Sequence, residues 1–252
     1  MGEIGAEKYC QGCYTENMRL ESENGSVLFM ILIGVMLFAA LSYTVASMMR
    51  GGNAESIDEE QAGLYADEIL NYARTVRQVI QTLRISNGCS DTDISFENPV
   101  VAGYTNGTNT ECQVFHADGG GLNYIAPPED WLDTSLSGES FYGEWIFSSD
   151  YCMPGIGTGG YTCWNNNIDD EELGAFLPYV KQNICENINE SLNAGTPPVN
   201  AGSDGYSYFT GIYDGDVSSK YLHDGVPQSF PLICINGGPQ LGYHFQAVLI
   251  AR

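Results

Sequence analysis

The sequence predicts an α+β protein in which a long hydrophobic helix and an amphipathic helix precede a disulfide-stabilised, β-rich globular head. Three observations support this class: an uncharged apolar run, a helical repeat of apolar residues after it, and six cysteines in a Gly- and Asn-rich remainder. They divide the chain into a polar N-terminal segment (1–25), a core or transmembrane helix (26–49), an amphipathic helix (50–88) and a head domain (89–252).

The apolar run over residues 26–49 contains no charged side chain. A helix rises about 1.5 Å per residue, so the run would extend about 36 Å and could cross the ~30 Å hydrocarbon core of a bilayer. Soluble core helices are seldom this long without a charge. We therefore expect a membrane or an equally apolar assembly around this helix. Small residues at Gly34, Ala39 and Ala40 would let another helix approach closely.

The polar segment before this run lacks the ordered features of a cleaved secretory signal, so we expect a retained signal anchor. Its Cys10 and Cys13 form an isolated CxxC pair, which we interpret as reduced cysteines rather than half of a metal or redox site. The other six cysteines and most of the acidic residues follow the run. This asymmetry favours a cytoplasmic N-terminus, with the head outside the cell or on a surface filament.

Apolar residues recur at alternating steps of three and four after residue 56, which is typical of an amphipathic helix. The stripe consists of Tyr65, Ile69, Tyr72, Val76, Val79 and Leu83. Ser56 and Glu59 match a capping box at its start, and Asn87-Gly88 provide a stop. We expect the stripe to pack either on its own head or on neighbouring copies. Three arginines off the stripe, Arg74, Arg77 and Arg84, could pair with the carboxylates of a neighbour.

Short β-prone runs between turn residues predict strands in the head over residues 113–116, 144–148, 206–213, 232–235 and 243–251. A helical insertion is expected between them. Leu173, Phe176 and Leu177 would form its first turns, and Pro178 would start a second helix. The buried face of that second helix would consist of Val180, Ile184, Ile188 and Leu192.

The head cysteines are expected to form three structural disulfides in an oxidising compartment. They are Cys89, Cys112, Cys152, Cys163, Cys185 and Cys234. Fifteen connectivities are open, and a local bridge between Cys152 and Cys163 is the first expectation because they flank a Gly-rich loop. Cys185 lies beside the apolar face of the predicted helix and could tie that helix to a strand.

The chain carries 32 acidic against 9 basic residues, a net charge of −23. Such a charge repels nucleic acid, so we exclude nucleic-acid binding. It attracts cations, and Asp214 with Asp216 is the candidate Ca²⁺ site, although the spacing is not that of an EF-hand. No other cofactor is expected.

No catalytic motif is recognisable in the sequence, so we expect no enzymatic activity. The three histidines, His116, His223 and His244, are far apart and lie in no ligand or nucleophile pattern. Asn106 and Asn189 each begin a formal glycosylation sequon.

The layout resembles that of type IV pilins and pseudopilins. Residues Gly25-Ser26-Val27-Leu28-Phe29-Met30 correspond to the processing junction of that family, with Met30 where the family carries a glutamate. Residues 26–83 correspond to its long helix. The resemblance implies a filament whose core is a bundle of these helices and whose exterior consists of disulfide-bearing α+β heads.

Two functions follow from these patterns. The first is a structural subunit of a pilin-like surface filament or multimeric membrane-anchored assembly, with other copies and membrane lipid as partners. The alternative is a bitopic membrane protein whose head is a binding ectodomain, serving as an accessory subunit among other membrane-complex subunits.

Overall fold

The computed structural model describes residues 24–51, 54–150, 152–153, 155–157, 171–197, 207–213, 230–237 and 242–252. The chain separates into two compact units, Met1–Asn53 and Ala54–Arg252. The fold is α+β, with an apolar N-terminal helix in the first unit and a second helix, an antiparallel sheet and two disulfides in the second.

Helix α1 (Asn24–Gly51) is continuous over 28 residues and contains the whole apolar run. Eleven of its 28 residues are leucine, methionine or alanine, which are good helix formers. The hydroxyl of Thr44 donates a hydrogen bond to the Leu41 carbonyl at 2.8 Å, so this polar group is satisfied within the helix itself.

Helix α2 (Ala54–Ser86) opens the second unit and extends over 33 residues. It ends where the Asn87-Gly88 pair predicts a stop. Gly88 adopts a left-handed conformation with φ of 69°, and the Cys89 amide donates to the Leu83 carbonyl at 3.3 Å. A residue with a Cβ would be strained at this φ, which explains the glycine.

Four antiparallel strands form the sheet, in the order β1-β2-β4-β3. They are β1 (Ile146–Ser148), β2 (Leu173–Val180), β3 (Leu232–Asn236) and β4 (Tyr243–Ile250). One face of the sheet shares its core with α2 and with α3 (Gln182–Ser191). The other face forms a second apolar cluster with loop residues such as Met153 and Phe230.

The helical prediction for residues 173–177 is wrong, because this segment is the inner strand β2. All eight of its residues are buried, so both faces of the strand are apolar and the alternation that marks a half-exposed strand is absent. Pro178 does not start a helix either. It lies at a register shift between Leu177 and Val180, where Tyr179 has φ of 61°, and such a bulge tolerates a proline inside a sheet.

The remaining helix and strand predictions have mixed outcomes. The second helix exists as α3 but begins at Gln182, and Val180 belongs to β2. The strands predicted over 232–235 and 243–251 are confirmed as β3 and β4, and that over 144–148 is shortened to β1. Residues 113–116 make only an isolated bridge from Gln113 to Ser95, and residues 207–213 contain no strand.

Two disulfides connect separate parts of the head. Cys89–Cys112 ties the end of α2 to a following loop, and Cys185–Cys234 ties α3 to β3, as predicted for Cys185. Cys152 is also disulfide-bonded. Cys163, its expected partner, lies outside the described residues, as do Cys10 and Cys13.

Candidate functional site

Most of the large apolar side chains exposed in the described chain belong to helix α1. Every side chain from Val27 to Val45 is exposed, and the exposed fraction of the large apolar groups ranges from 41% at Ile33 to 76% at Tyr43. This stretch has a mean hydropathy of 2.4. By length and composition α1 could therefore cross a membrane once.

The small residues of α1 do not form one groove. At about 100° per residue, Gly34 and Ala39 point about 140° apart, and Ala39 and Ala40 about 100° apart. A Cβ added at Gly34 would meet nothing within 4 Å apart from its chain neighbours and the backbone of its own helix. Close helix approach is thus available on more than one side of α1.

The α2 stripe, in contrast, packs on its own head. Ile69, Tyr72, Val76 and Leu83 are buried, and Tyr65 and Val79 pack partly buried against the same core. The ring of Tyr72 lies 4.9 Å from that of Trp145, between ring centroids. The sequence left open whether this stripe packs on its own head or on neighbouring copies. The structure shows that it packs on its own head.

A side chain of α3 hydrogen-bonds to the outer edge of β3, the edge that faces away from β4. The Asn189 carboxamide accepts a hydrogen bond from the Cys234 amide and donates one to the Cys234 carbonyl, both at 2.8 Å. It thus takes the place of a neighbouring strand beside the Cys185–Cys234 disulfide. Since Asn189 is fully buried, this sequon asparagine has a structural role.

The opposite edge, β1, is covered in a similar way. The Tyr104 hydroxyl accepts from the Phe147 amide at 3.0 Å, and the Phe209 amide donates to the Phe147 carbonyl at 2.8 Å. Burial raises the pKa of Tyr104 well above its usual range, so the hydroxyl keeps its proton. The backbone of the central residue of each edge strand, Cys234 in β3 and Phe147 in β1, is thus already hydrogen-bonded, which disfavours strand addition there.

A cleft of about 710 Å³ lies at the end of α2 and was not predicted from the sequence. Its charged members are Arg84 and Asp91, whose side chains pair at 2.7 Å, and Arg252, whose guanidinium lies 4.0 Å from the Tyr213 ring centroid. These residues are up to 168 positions apart in sequence, so no local pattern could have indicated the cleft.

The other candidate residues do not come together in the part of the chain that the structure describes. Asp214, Asp216 and His223 lie outside it. His116 lies 3.7 Å from Asp118 on the surface, while burial lowers the pKa of His244 to about 4 and keeps it neutral at pH 7.

Asn106, the other sequon asparagine, donates to the Ile94 carbonyl at 2.7 Å. The described residues contain no group of three His, Cys, Asp or Glu side chains that could hold a metal ion. Comparison of the chain with protein-family models, with curated protein sequences and with solved structures finds no match.

Proposed function

We propose that the chain is a structural subunit of a pilin-like surface filament or another multimeric, membrane-anchored assembly. In this assembly α1 lies in an apolar core or bilayer, and the head forms the exterior. The observation that carries the proposal is the contrast in burial: α1 is exposed on every side, whereas the head has closed its own core.

The exposed apolar surface of α1 requires an apolar environment. Burying one large apolar side chain stabilises a protein by about 1.5–3 kcal/mol, and α1 carries many such side chains in water-accessible positions. Lipid or neighbouring α1 helices would both remove this surface from water. The small residues on several sides of α1 favour neighbouring helices, because they allow backbones to approach closely.

The head supports an exterior position. Its disulfides support this position, because disulfides form mainly in oxidising compartments, and in the proposed arrangement the N-terminus lies on the cytoplasmic side. Its covered sheet edges would resist uncontrolled strand pairing between densely packed heads. Association would then proceed through the helices rather than through the sheet.

A second candidate function is a bitopic membrane protein with a binding ectodomain. The cleft with Arg84, Tyr213 and Arg252 favours it, because a recess lined by the Arg252 guanidinium in addition to the Arg84–Asp91 ion pair could accept an anionic group. In that case the chain would act as one subunit among other membrane proteins, without self-assembly.

Size measurement and electron microscopy of native particles test the first function. We expect wild-type chains to form ordered assemblies at the cell surface and multimers in mild detergent. Gly34→Leu and Ala39→Trp should reduce assembly, since bulky groups prevent close helix approach. Phe38→Leu is the matched control, because it keeps an apolar side chain at an exposed position of the same helix.

The head of each variant should keep its disulfides and its melting temperature. A wild-type chain that is monomeric in mild detergent, with no ordered surface structure, would contradict the filament and favour the bitopic protein.

A further inference from the structure

The outward surface of α2 separates its charges along the helix. The exposed acidic residues, Asp58, Glu59, Glu60, Asp67 and Glu68, all lie in the first half of the helix. From Leu70 onward the only charged residues are Arg74, Arg77 and Arg84. The first half of the outward surface of α2 is thus acidic, and the second half is basic.

Effects within the helix do not explain this separation. The helix macrodipole acts within the first and last turns, which accounts for Arg84 but not for Asp67, Glu68, Arg74 or Arg77. No acidic residue lies three or four positions from an arginine within α2, so the favourable pairs of a solvated helix are missing.

Most of these arginines are not satisfied within the head. Arg84 pairs with Asp91, whereas neither Arg74 nor Arg77 forms an ion pair with any described residue. The Nε of half-buried Arg77 also lacks a hydrogen-bond partner among the described residues, although it is removed from solvent. A desolvated guanidinium nitrogen of this kind favours a partner that supplies an acceptor.

The centre of the outward surface follows a seven-residue repeat. Glu60, Asp67, Arg74 and Gln81 are all exposed and lie on one line of the helix. We call these four residues the polar line. Leu64 and Ile85, 65% and 85% exposed, lie one turn from Glu60 and Gln81 on the same surface.

We propose that the polar line binds the polar line of a second copy of this chain, with the two α2 helices parallel and shifted by two heptads, about 21 Å. This inference rests on the proposed assembly function. Charge complementarity identifies the partner as a second copy. The basic half of the polar line would pair best with an acidic helix, and the acidic half of another copy is such a helix.

The charges select among parallel registers. With no shift, each residue of the polar line lies opposite the same residue of the other copy, so Asp67 and Arg74 each face a like charge. A shift of one heptad pairs Asp67 with Arg74 but also opposes Glu60 to Asp67. A shift of two heptads pairs Glu60 with Arg74 and Asp67 with Gln81, with no like charges opposed.

In the two-heptad register the remaining arginines also gain partners. Asp67 of one copy lies opposite Gln81, with Arg77 and Arg84 of the other copy one turn to either side. The carboxylate can therefore reach the guanidinium group whose Nε is without a partner in the isolated head.

An antiparallel pair would also match Asp67 with Arg74, but it conflicts with the anchoring of α1. Helix α2 has 33 residues and is about 50 Å long, and α1 precedes it in the chain. Antiparallel α2 helices would place the two α1 attachments about this far apart, at opposite ends of the pair. Copies whose α1 helices share one filament core therefore favour the parallel arrangement, because the core can follow the same axial shift of about 21 Å from copy to copy.

The shifted contact joins two different surfaces, the acidic half of one copy and the basic half of the next. Such a heterologous contact leaves one free surface at each end, and because each copy is shifted by about 21 Å along the helix axis it continues into an open filament. The polar line would thus provide the repeating contact outside the apolar layer.

Charge reversal in the full chain tests the register. Arg74→Glu should raise the concentration needed for half-maximal assembly about tenfold, because like charges then face each other. Adding Glu60→Arg to Arg74→Glu should restore assembly to within about threefold of wild type, since the pair is formed again with its charges exchanged. High salt should weaken wild-type assembly in the same way.

Two comparisons make the test decisive. Glu139→Arg, a reversal at an exposed site away from α2, is the control and should leave assembly unchanged. Rescue of Arg74→Glu by Asp67→Arg instead of Glu60→Arg would overturn the two-heptad register in favour of an antiparallel or one-heptad contact.

Failure of the inference can be told apart from failure of the proposed function. Wild-type chains that assemble, with Arg74→Glu assembling equally well, overturn the polar-line contact alone. Wild-type chains that never assemble overturn the proposed function, and the contact with it. Arg74→Gln, which removes the charge without repulsion, should give an intermediate loss and guards against a folding defect in Arg74→Glu.

Discussion

Helices α1 and α2 follow one another in the chain yet meet opposite environments. Helix α1 is apolar on every side and none of its described side chains is buried. Helix α2 is amphipathic, and its apolar stripe is buried against the sheet and α3. The chain therefore buries the apolar stripe of α2 within its own head, whereas the apolar surface of α1 stays exposed in a single chain.

In the proposed assembly, this difference separates the contacts that fold the head from the contacts that join neighbouring copies. A helix with one apolar stripe can be satisfied by a single head, because the head covers one side and water solvates the other. A helix that is apolar all round has no side suited to water. Stability of the head and association of the chain should therefore respond to different substitutions.

The largest expected effect is on the packing of α2. Val76 is fully buried, so Val76→Asp places an unpaired carboxylate in the core and should destabilise the head by about 3–5 kcal/mol or more. Gln78→Asp introduces the same group two residues later at an exposed position and should change stability by less than about 0.5 kcal/mol. Thermal or denaturant unfolding measures both, and equal tolerance would contradict the burial of the stripe.

The disulfides should differ in their contribution to the head. They close segments of 49 residues (Cys185–Cys234) and 23 residues (Cys89–Cys112). Loop entropy then predicts losses of about 4 and about 3 kcal/mol when each pair is replaced by alanines. Denaturant unfolding of the two double variants should therefore rank Cys185/Cys234 as the more damaging, and the reverse order would mean that chain entropy does not control the effect.

The smallest expected effect on head stability comes from removing α1. A chain of residues 54–252 should fold and should unfold within about 0.5 kcal/mol of the head in the full chain, because α1 belongs to a separate unit. Residues 89–252 form the matched control and should not fold, since α2 contributes Ile69, Val76 and Leu83 to the core. Circular dichroism shows whether each fragment is folded, and gel filtration shows whether it is compact. A folded 89–252 fragment would mean that the head does not need α2 to fold.

The elements that the sequence predicted well are those specified by local patterns. The uncharged run determines α1 without reference to the rest of the chain, and the apolar repeat with the Asn87-Gly88 stop determines the face and end of α2. Strands β3 and β4 were predicted because short β-prone runs lie between turn residues.

The tertiary structure alone decided the features that depend on distant partners. The apolar pattern of residues 173–177 led to a helix prediction, yet this segment belongs to β2 because β1 and β4 pair with it on both sides. The covering of the α2 stripe, the joining of Cys185 to Cys234 and the meeting of Arg84 with Arg252 likewise depend on segments far away in sequence. Short-range periodicity determines which face of an element is apolar, whereas only the packed chain determines what covers that face.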